Sequence, residues 1–293
     1  MDMDLRALYI ELLKKTIINE IYIENEIKLG YLIYCLANRQ GARMDHLLDP
    51  DLISGDFIRQ VHKTKLDGST TALMVRDEQG NWAPAHHLRN VLEFSHSMIG
   101  RLRMNNIQHC VERILADNIP GDLIETGVWR GGATIFMRGL LAAYGVEDRT
   151  VWVADSFDGV PPPTYPQDKG IDLDKSRLPV LAVSLERVRN LFDRYKLLDD
   201  QVKFLPGWFK DTLPNAPIER LSLLRLDGDL YESTMDALNA LYDKVTPGGY
   251  IVVDDYNAIA SCKVAIHEFR QSRGIEDEMV TIDQDSVFWR KAR

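Results

Sequence analysis

From about residue 105 onward, short apolar runs alternate with longer stretches whose apolar residues recur at helical spacing. The pattern predicts a helix in "NNIQHCVERILADNIP", a strand in "GDLIETGV", a helix in "GGATIFMRGLLAAYG" and a strand in "RTVWVADSF". It continues with a helix over "LPVLAVSLERVRNLFDRYKLL" and strands at "QVKFLPGW" and "LSLLRLDGD". A helix over "STMDALNALYDKV", a strand at "GGYIVVDDY", a helix over "SCKVAIHEFRQSRG" and two closing strands near "MVTI" and "SVFWR" complete it. Continuous apolar runs belong to strands buried on both faces, and their alternation with helices predicts a parallel, doubly wound α/β sheet. Ligands of such sheets bind beyond the carboxyl ends of the strands.

The first hundred residues follow a different rhythm. Residues 3 to about 24 place Leu5, Leu8, Leu12 and Leu13 at helical spacing with Glu11, Lys14 and Lys15 between them, which predicts one amphipathic helix. From Glu26 to about Pro84 the periodicity weakens, leaving a short capped helix in "SGDFIRQVHK" and a hairpin around Gln79-Gly80. We therefore divide the chain into a helical cap over residues 1–95 and a larger α/β domain over 96–293. The cap suits a lid and oligomer interface, and equally a plain helical layer.

With 45% hydrophobic residues the chain can bury a large core. No apolar stretch approaches the roughly 20 residues of a membrane span, and "MDMDLRALYI" is acidic where a secretory signal is basic. A cytoplasmic protein without membrane contact is expected. The net charge of -9, from 44 acidic and 35 basic residues, disfavours nucleic acid as a partner. Cys35, Cys110 and Cys262 are too scattered for a disulfide framework or a zinc site.

The chemistry gathers at the strand ends. "DLIETGVWRGGAT" passes from strand through glycines to a helix start, but its Gly127-x-x-x-Gly131-Gly132 spacing departs from the dinucleotide fingerprint. That weakens a nicotinamide-dependent dehydrogenase reading. Glu125 closes this strand, where a carboxylate can meet a ligand ammonium. Asp155 closes the next, where an acid can hold ribose hydroxyls. In "FLPGWF", Gly207 permits close backbone approach and Trp208 offers a flat face to an adenine. Each has a plainer role: Gly127 turning the chain, Asp155 capping a helix, Trp208 packing in the core. Their occurrence at successive strand ends favours a nucleoside cofactor.

Asp227 ends the strand "LSLLRL", and Asp254-Asp255 end "GGYIVV". Converging carboxylates repel one another unless a cation or raised pKa values relieve them. An oxygen-only ligand set points to Mg²⁺. Helix capping is the alternative for Asp254 and Asp255. A nucleoside cofactor beside Mg²⁺ suggests methyl transfer from S-adenosylmethionine to a hydroxyl, with Asp227 as catalytic base or a histidine among His86, His87 and His96 sharing that work.

"PGDLIETGVWRGGATIFMRG", "VWVADSFDGVPPP", "LPGWFKDTLP", "RLDGDLYEST" and "GGYIVVDDY" together resemble the TylF/MycF/NovP family of macrocin-type O-methyltransferases, over roughly residues 94 to 293. The resemblance implies a class I methyltransferase fold, a Rossmann-like seven-stranded sheet with its last strand antiparallel. It implies S-adenosylmethionine as donor and Mg²⁺ as metal. Carried over, Asp227, Asp254 and Asp255 correspond to metal ligands, with Asp227 also the proposed base. Glu125, Thr126, Gly127, Asp155, Ser156, Gly207 and Trp208 correspond to the cofactor site. Met98 in "HSMIG" and Ser184 in "AVSLERV" are further cofactor candidates, Ser184 having a helix N-cap as its plain alternative. The acceptor implied is a small glycosylated molecule bound by a homo-oligomer, as in deoxysugar methylation during antibiotic biosynthesis. A catechol or phenol acceptor, or a non-catalytic nucleoside-binding protein, are the alternatives. The segment from Ala37 to Pro84 has no obvious counterpart in the family, so the acceptor's identity does not transfer.

Overall fold

The computed structural model describes residues 4–68, 74–76, 82–84 and 94–292. His86, His87 and the turn at Gln79-Gly80 lie outside them. Contacts divide the chain into two units, Leu12–Leu102 and a larger one that joins Met1–Glu11 to Arg103–Arg293. Among the described residues, no helix is long and apolar enough to cross a membrane.

The single helix expected over residues 3–24 is two helices, Leu5–Ile17 and Ile23–Ala37. Asn19 breaks it by taking the left-handed conformation at φ 58°. Its N–H then bonds to the carbonyl of Thr16 and that of Glu20 to Lys15, a Schellman-type ending that asparagine tolerates. Within Leu5–Ile17 the buried face is Ile10, Leu13 and Ile17, whereas Leu5, Leu8 and Leu12 remain 73%, 50% and 52% exposed. The helix is thus apolar on two sides, and the leucine stripe read from spacing is largely the outer one.

In the smaller unit, Ile27, Ile53 and Val61 form a core with Tyr31 and Phe57 against them. The expected capped helix is Gly55–Asp67. Lys65 and Glu26 form a buried ion pair at 2.7 Å, and Asn19 donates to the same carboxylate oxygen. Of the expected hairpin, the described part is β1, Met74–Arg76, paired antiparallel with β2, Trp82–Pro84.

The larger unit is the anticipated α/β sheet. Its strands are β3 (Asp122–Thr126), β4 (Val151–Asp155), β5 (Val202–Pro206), β6 (Leu221–Leu226), β7 (Val245–Val253), β8 (Val280–Thr281) and β9 (Val287–Arg290). They lie in the order β5-β4-β3-β6-β7-β9-β8. β5 through β7 are parallel, and β9 runs antiparallel between β7 and β8. β6, at the centre, is buried at every position, as its unbroken run requires. One helical segment differs from expectation. The stretch from residue 178 begins as a 3-10 turn, Pro179–Leu181, and the α-helix starts only at Leu185. The Ser184 hydroxyl caps it, accepting from the Arg187 N–H at 3.3 Å.

This topology positions the site. From β3 the chain steps outward to β4 and β5, then returns to place β6 and β7 on the other side of β3. Adjacent crossovers therefore diverge at the β3–β6 boundary, the crevice where ligands of open α/β sheets bind.

Candidate active site

The strand tips are joined by main-chain bonds that continue the ladders past the strands. The N–H of Gly127 donates to the Ala154 carbonyl, that of Asp227 to Thr126, that of Asp254 to Leu226 and that of Gly207 to Asp155, each at 2.9 Å. Gly127 is required here for two reasons. Its φ is 89°, and a Cβ on it would fall 1.8 Å from the Asp227 carbonyl oxygen. The glycine lets the tips of β3 and β6 touch.

At those tips, Asp227, Asp254 and Asp255 each bring a carboxylate oxygen within 4.8 Å of the others. The centre of the cluster is a residue that the apolar pattern concealed. Arg225, fully buried in β6, directs its Nη1 to both Glu125 and Asp227 and its Nη2 to Asp254. Arg103, from the helix Gly100–Ala116, holds the other oxygen of Asp254 and reaches Asp283 at 2.7 Å and Asp285 at 3.3 Å. Asp255 accepts the Asp229 N–H at 3.1 Å. The sequence signal for Arg225 was available: a lone cation inside an otherwise apolar run whose neighbours end in acids.

Two guanidiniums do not balance these carboxylates. Burial first, then repulsion from Asp227 and Asp254 against the attraction of Arg225, pushes Glu125 up to about 8. Asp227, whose side chain keeps 25% exposure, rises to about 6, from burial and the charge of Asp254, again opposed by Arg225. Burial and neighbouring Asp227 raise Asp229 to about 7, and burial with Asp229 raises Asp255 well above the carboxylate range. The Oε2 of Glu125 is buried with no hydrogen-bond partner among the described residues. The cluster therefore accommodates added positive charge. Three oxygen ligands fit a hard dication such as Mg²⁺, with the arginines fixing Asp254 and Asp227 from behind.

The remaining expected cofactor residues have defined places. Asp155 anchors the neighbouring turn: one oxygen accepts from Val128 N–H at 2.7 Å, the other from Phe157 N–H at 2.7 Å. Burial raises its pKa while these N–H groups oppose the rise. The Thr126 hydroxyl faces the Arg225 carbonyl at 3.4 Å, and the Ser156 hydroxyl donates to Gly159 at 2.6 Å. Gly207 has φ 128°, and Trp208 is half-buried as the residue before the short helix Phe209–Thr212. Ser184 is exposed and engaged as a helix cap. Met98 belongs to the smaller unit, where it lines a small cavity with Lys65, Ser95 and Ser97. His96 is in that unit too, its N–H bonded to the Ile17 carbonyl.

Sequence reasoning also missed Asp168. It is fully buried in the 3-10 turn Pro166–Asp168 and accepts from the N–H groups of Tyr231 at 2.8 Å and Glu232 at 3.2 Å. It thereby caps the helix Tyr231–Leu241, which starts just after the Asp227–Asp229 loop. Non-glycine residues in left-handed conformation recur at this rim: Trp129, Phe157 and Asp229 at φ 49°, 56° and 60°. Such strain accumulates at functional sites.

Known proteins match this chain in sequence and in structure. The chain is 54% identical over 228 residues to demethyldecarbamoylnovobiocin O-methyltransferase of Streptomyces niveus, covering 77% of this chain and 83% of that enzyme. It is 55% identical over 199 residues to 8-demethyl-8-(2,3-dimethoxy-alpha-L-rhamnosyl)-tetracenomycin-C 4'-O-methyltransferase of Streptomyces olivaceus, covering 67% and 76%. The structure of the O-methyltransferase NovP superposes with a TM-score of 0.73 at 44% identity, over 98% of this chain and 100% of that one. The profile of the Macrocin-O-methyltransferase (TylF) family spans residues 6–291. With its sheet order and nearly its whole length accounted for, the chain belongs to the macrocin O-methyltransferase family, and its fold is that of a class I methyltransferase.

Proposed function

We propose that this protein moves a methyl group from S-adenosylmethionine to a hydroxyl of a sugar carried by a small glycosylated natural product, with Mg²⁺ held by Asp227, Asp254 and Asp255. The observation that carries the reading is the convergence of three carboxylate oxygens beside a buried, half-satisfied Glu125 at the sheet's switch point. The named substrates of the relatives, one of them rhamnosylated, support a sugar acceptor.

When bound, the donor supplies an electrophilic methyl group, and Mg²⁺ supplies Lewis acidity that lowers the pKa of a coordinated hydroxyl. The chain's own contribution is charge and position. Glu125 Oε2 is available to an ammonium, and the surplus of carboxylates favours a cationic sulfonium over a phosphate-bearing cofactor. Asp155 and Gly127 hold the β3 turn in the shape that lets a ligand approach its backbone. Asp227, at the tip of β6 with its side chain partly open to solvent, takes the hydroxyl proton. Fixing acceptor oxygen and methyl carbon in line provides much of the acceleration. The exposed Leu5, Leu8 and Leu12 stripe supports a homo-oligomer, and the reading places the enzyme in the cytoplasm.

The test is methyl transfer from labelled S-adenosylmethionine to glycosylated acceptors and to catechols, with and without chelator. Label on a sugar hydroxyl, lost with chelator and restored by Mg²⁺, is expected. Transfer only to catechols, or transfer indifferent to chelator, overturns the acceptor or the metal assignment respectively.

A further inference from the structure

We propose that Arg225 is a positioning residue that joins the donor site to the metal site, and that Arg103 positions the metal side alone. The proposal rests on the metal reading above. Arg225 is fully buried in the central strand, so its fork cannot swing to solvent. One nitrogen, Nη1, meets Glu125 on β3 and Asp227 beyond β6, while Nη2 meets Asp254 beyond β7. A single planar group therefore sets the spacing of three carboxylates carried at three strand tips. Arg103 grips the opposite oxygen of Asp254 and is itself held by Asp283, whose carboxylate also accepts the N–H groups of Asp285 and Ser286 at 2.9 Å. The Ser286 hydroxyl then donates to the Asp254 carbonyl at 2.6 Å. Asp254 is thus oriented on both oxygens before any cation arrives, and among the described residues the Glu125 carboxylate is tied to the same frame through Arg225.

Arginine suits this task and lysine does not. A guanidinium offers fixed, divergent donors, whereas an ammonium is a point charge on a flexible stem. Arg225→Lys preserves the charge and removes the fork. Groups that orient metal ligands typically change metal affinity by about 10- to 100-fold when altered.

Calorimetric titrations of Mg²⁺ and, separately, of S-adenosylhomocysteine into the full chain test the proposal without reference to turnover. Arg225→Lys is expected to weaken Mg²⁺ by at least roughly tenfold and to weaken adenosylhomocysteine as well. Arg103→Lys is expected to weaken Mg²⁺ and leave adenosylhomocysteine unchanged. Arg225→Met separates position from charge: tighter Mg²⁺ binding in that variant would show a mere counter-charge and overturn the proposal. Equal losses of both ligands in Arg103→Lys would indicate general destabilisation and also overturn it. Should Arg225→Lys fail to fold, Arg103→Lys carries the test, and unchanged Mg²⁺ affinity there defeats it. If the unaltered protein binds adenosylhomocysteine but no Mg²⁺, the metal reading itself fails and the proposal goes with it.

Discussion

Asp227 carries two demands that pull apart, since ligating a cation lowers the basicity that taking a proton requires. Without a bound cation, burial and Asp254 raise the carboxylate to about 6 even with Arg225 attached, so it starts above an ordinary aspartate before a dication lowers it. Replacing it by asparagine keeps the shape and removes the proton acceptance. Asp227→Asn is expected to lower kcat by roughly 10²- to 10⁴-fold and to leave adenosylhomocysteine affinity within about threefold, as a direct binding titration would show. A pH dependence follows from the same cluster. Asp227, Asp229 and Glu125 have folded values near 6, 7 and 8, above the ordinary carboxylate range near 4. The metal-free folded state therefore binds more protons than the unfolded one, and its stability falls as pH rises from about 4 to about 8. Thermal melts without Mg²⁺ should show Tm declining across that window, and added Mg²⁺ should raise Tm more at pH 8 than at pH 5. Equal shifts at both pH values would refute the linkage. At this scale the sequence exposed the acids, because they terminate apolar runs. It hid Asp168, whose partners lie 63 to 64 positions away, and the reach of Arg225, which meets nearby Asp227 but also Asp254 and Glu125, 29 and 100 positions away along the chain.

Secondary-structure elements were legible where burial is symmetric. β6 and β7 announce themselves as apolar runs because both faces are covered, and the helices between them must present a stripe. The failures share a cause in local hydrogen bonding. Asn19 ends a helix that periodicity continues, and Ser184 starts one that periodicity begins too early. Gly127→Ala forces a left-handed alanine whose Cβ meets the β6 tip, so a loss of at least about 2 kcal/mol is expected in denaturant unfolding. Asp168→Ala removes the buried cap of Tyr231–Leu241, for about 1 kcal/mol or more. Because the Asp168 turn is also tied by Thr164 to Glu232 at 2.6 Å, limited proteolysis should open the 157–184 connection faster in that variant. An unchanged cleavage rate would show that the cap does not pin the connection.

For the molecule as a whole, the α/β half was readable from rhythm, and the N-terminal half only in pieces. The physical difference is that parallel strands must be continuous and apolar, whereas a small helical unit can close its core with few residues, here Ile27, Ile53 and Val61. The helix Leu5–Ile17 leaves Leu5, Leu8 and Leu12 outward, an apolar face that water disfavours. Light scattering should find an oligomer, and Leu5→Glu with Leu8→Glu should shift it toward the monomer without altering adenosylhomocysteine affinity. A monomeric parent protein would remove the interface reading.

The main-chain bonds that link Asp155, Gly127, Asp227 and Asp254 to adjoining strands have an evolutionary corollary. Since peptide groups hold these loops in register while Arg225 and Arg103 orient the carboxylates, a side-chain change at one tip that needs no backbone shift leaves the neighbouring backbone where it was. A lineage could therefore retune reactivity or exchange its acceptor by point changes while inheriting the same scaffold, provided each buried arginine keeps an anionic neighbour.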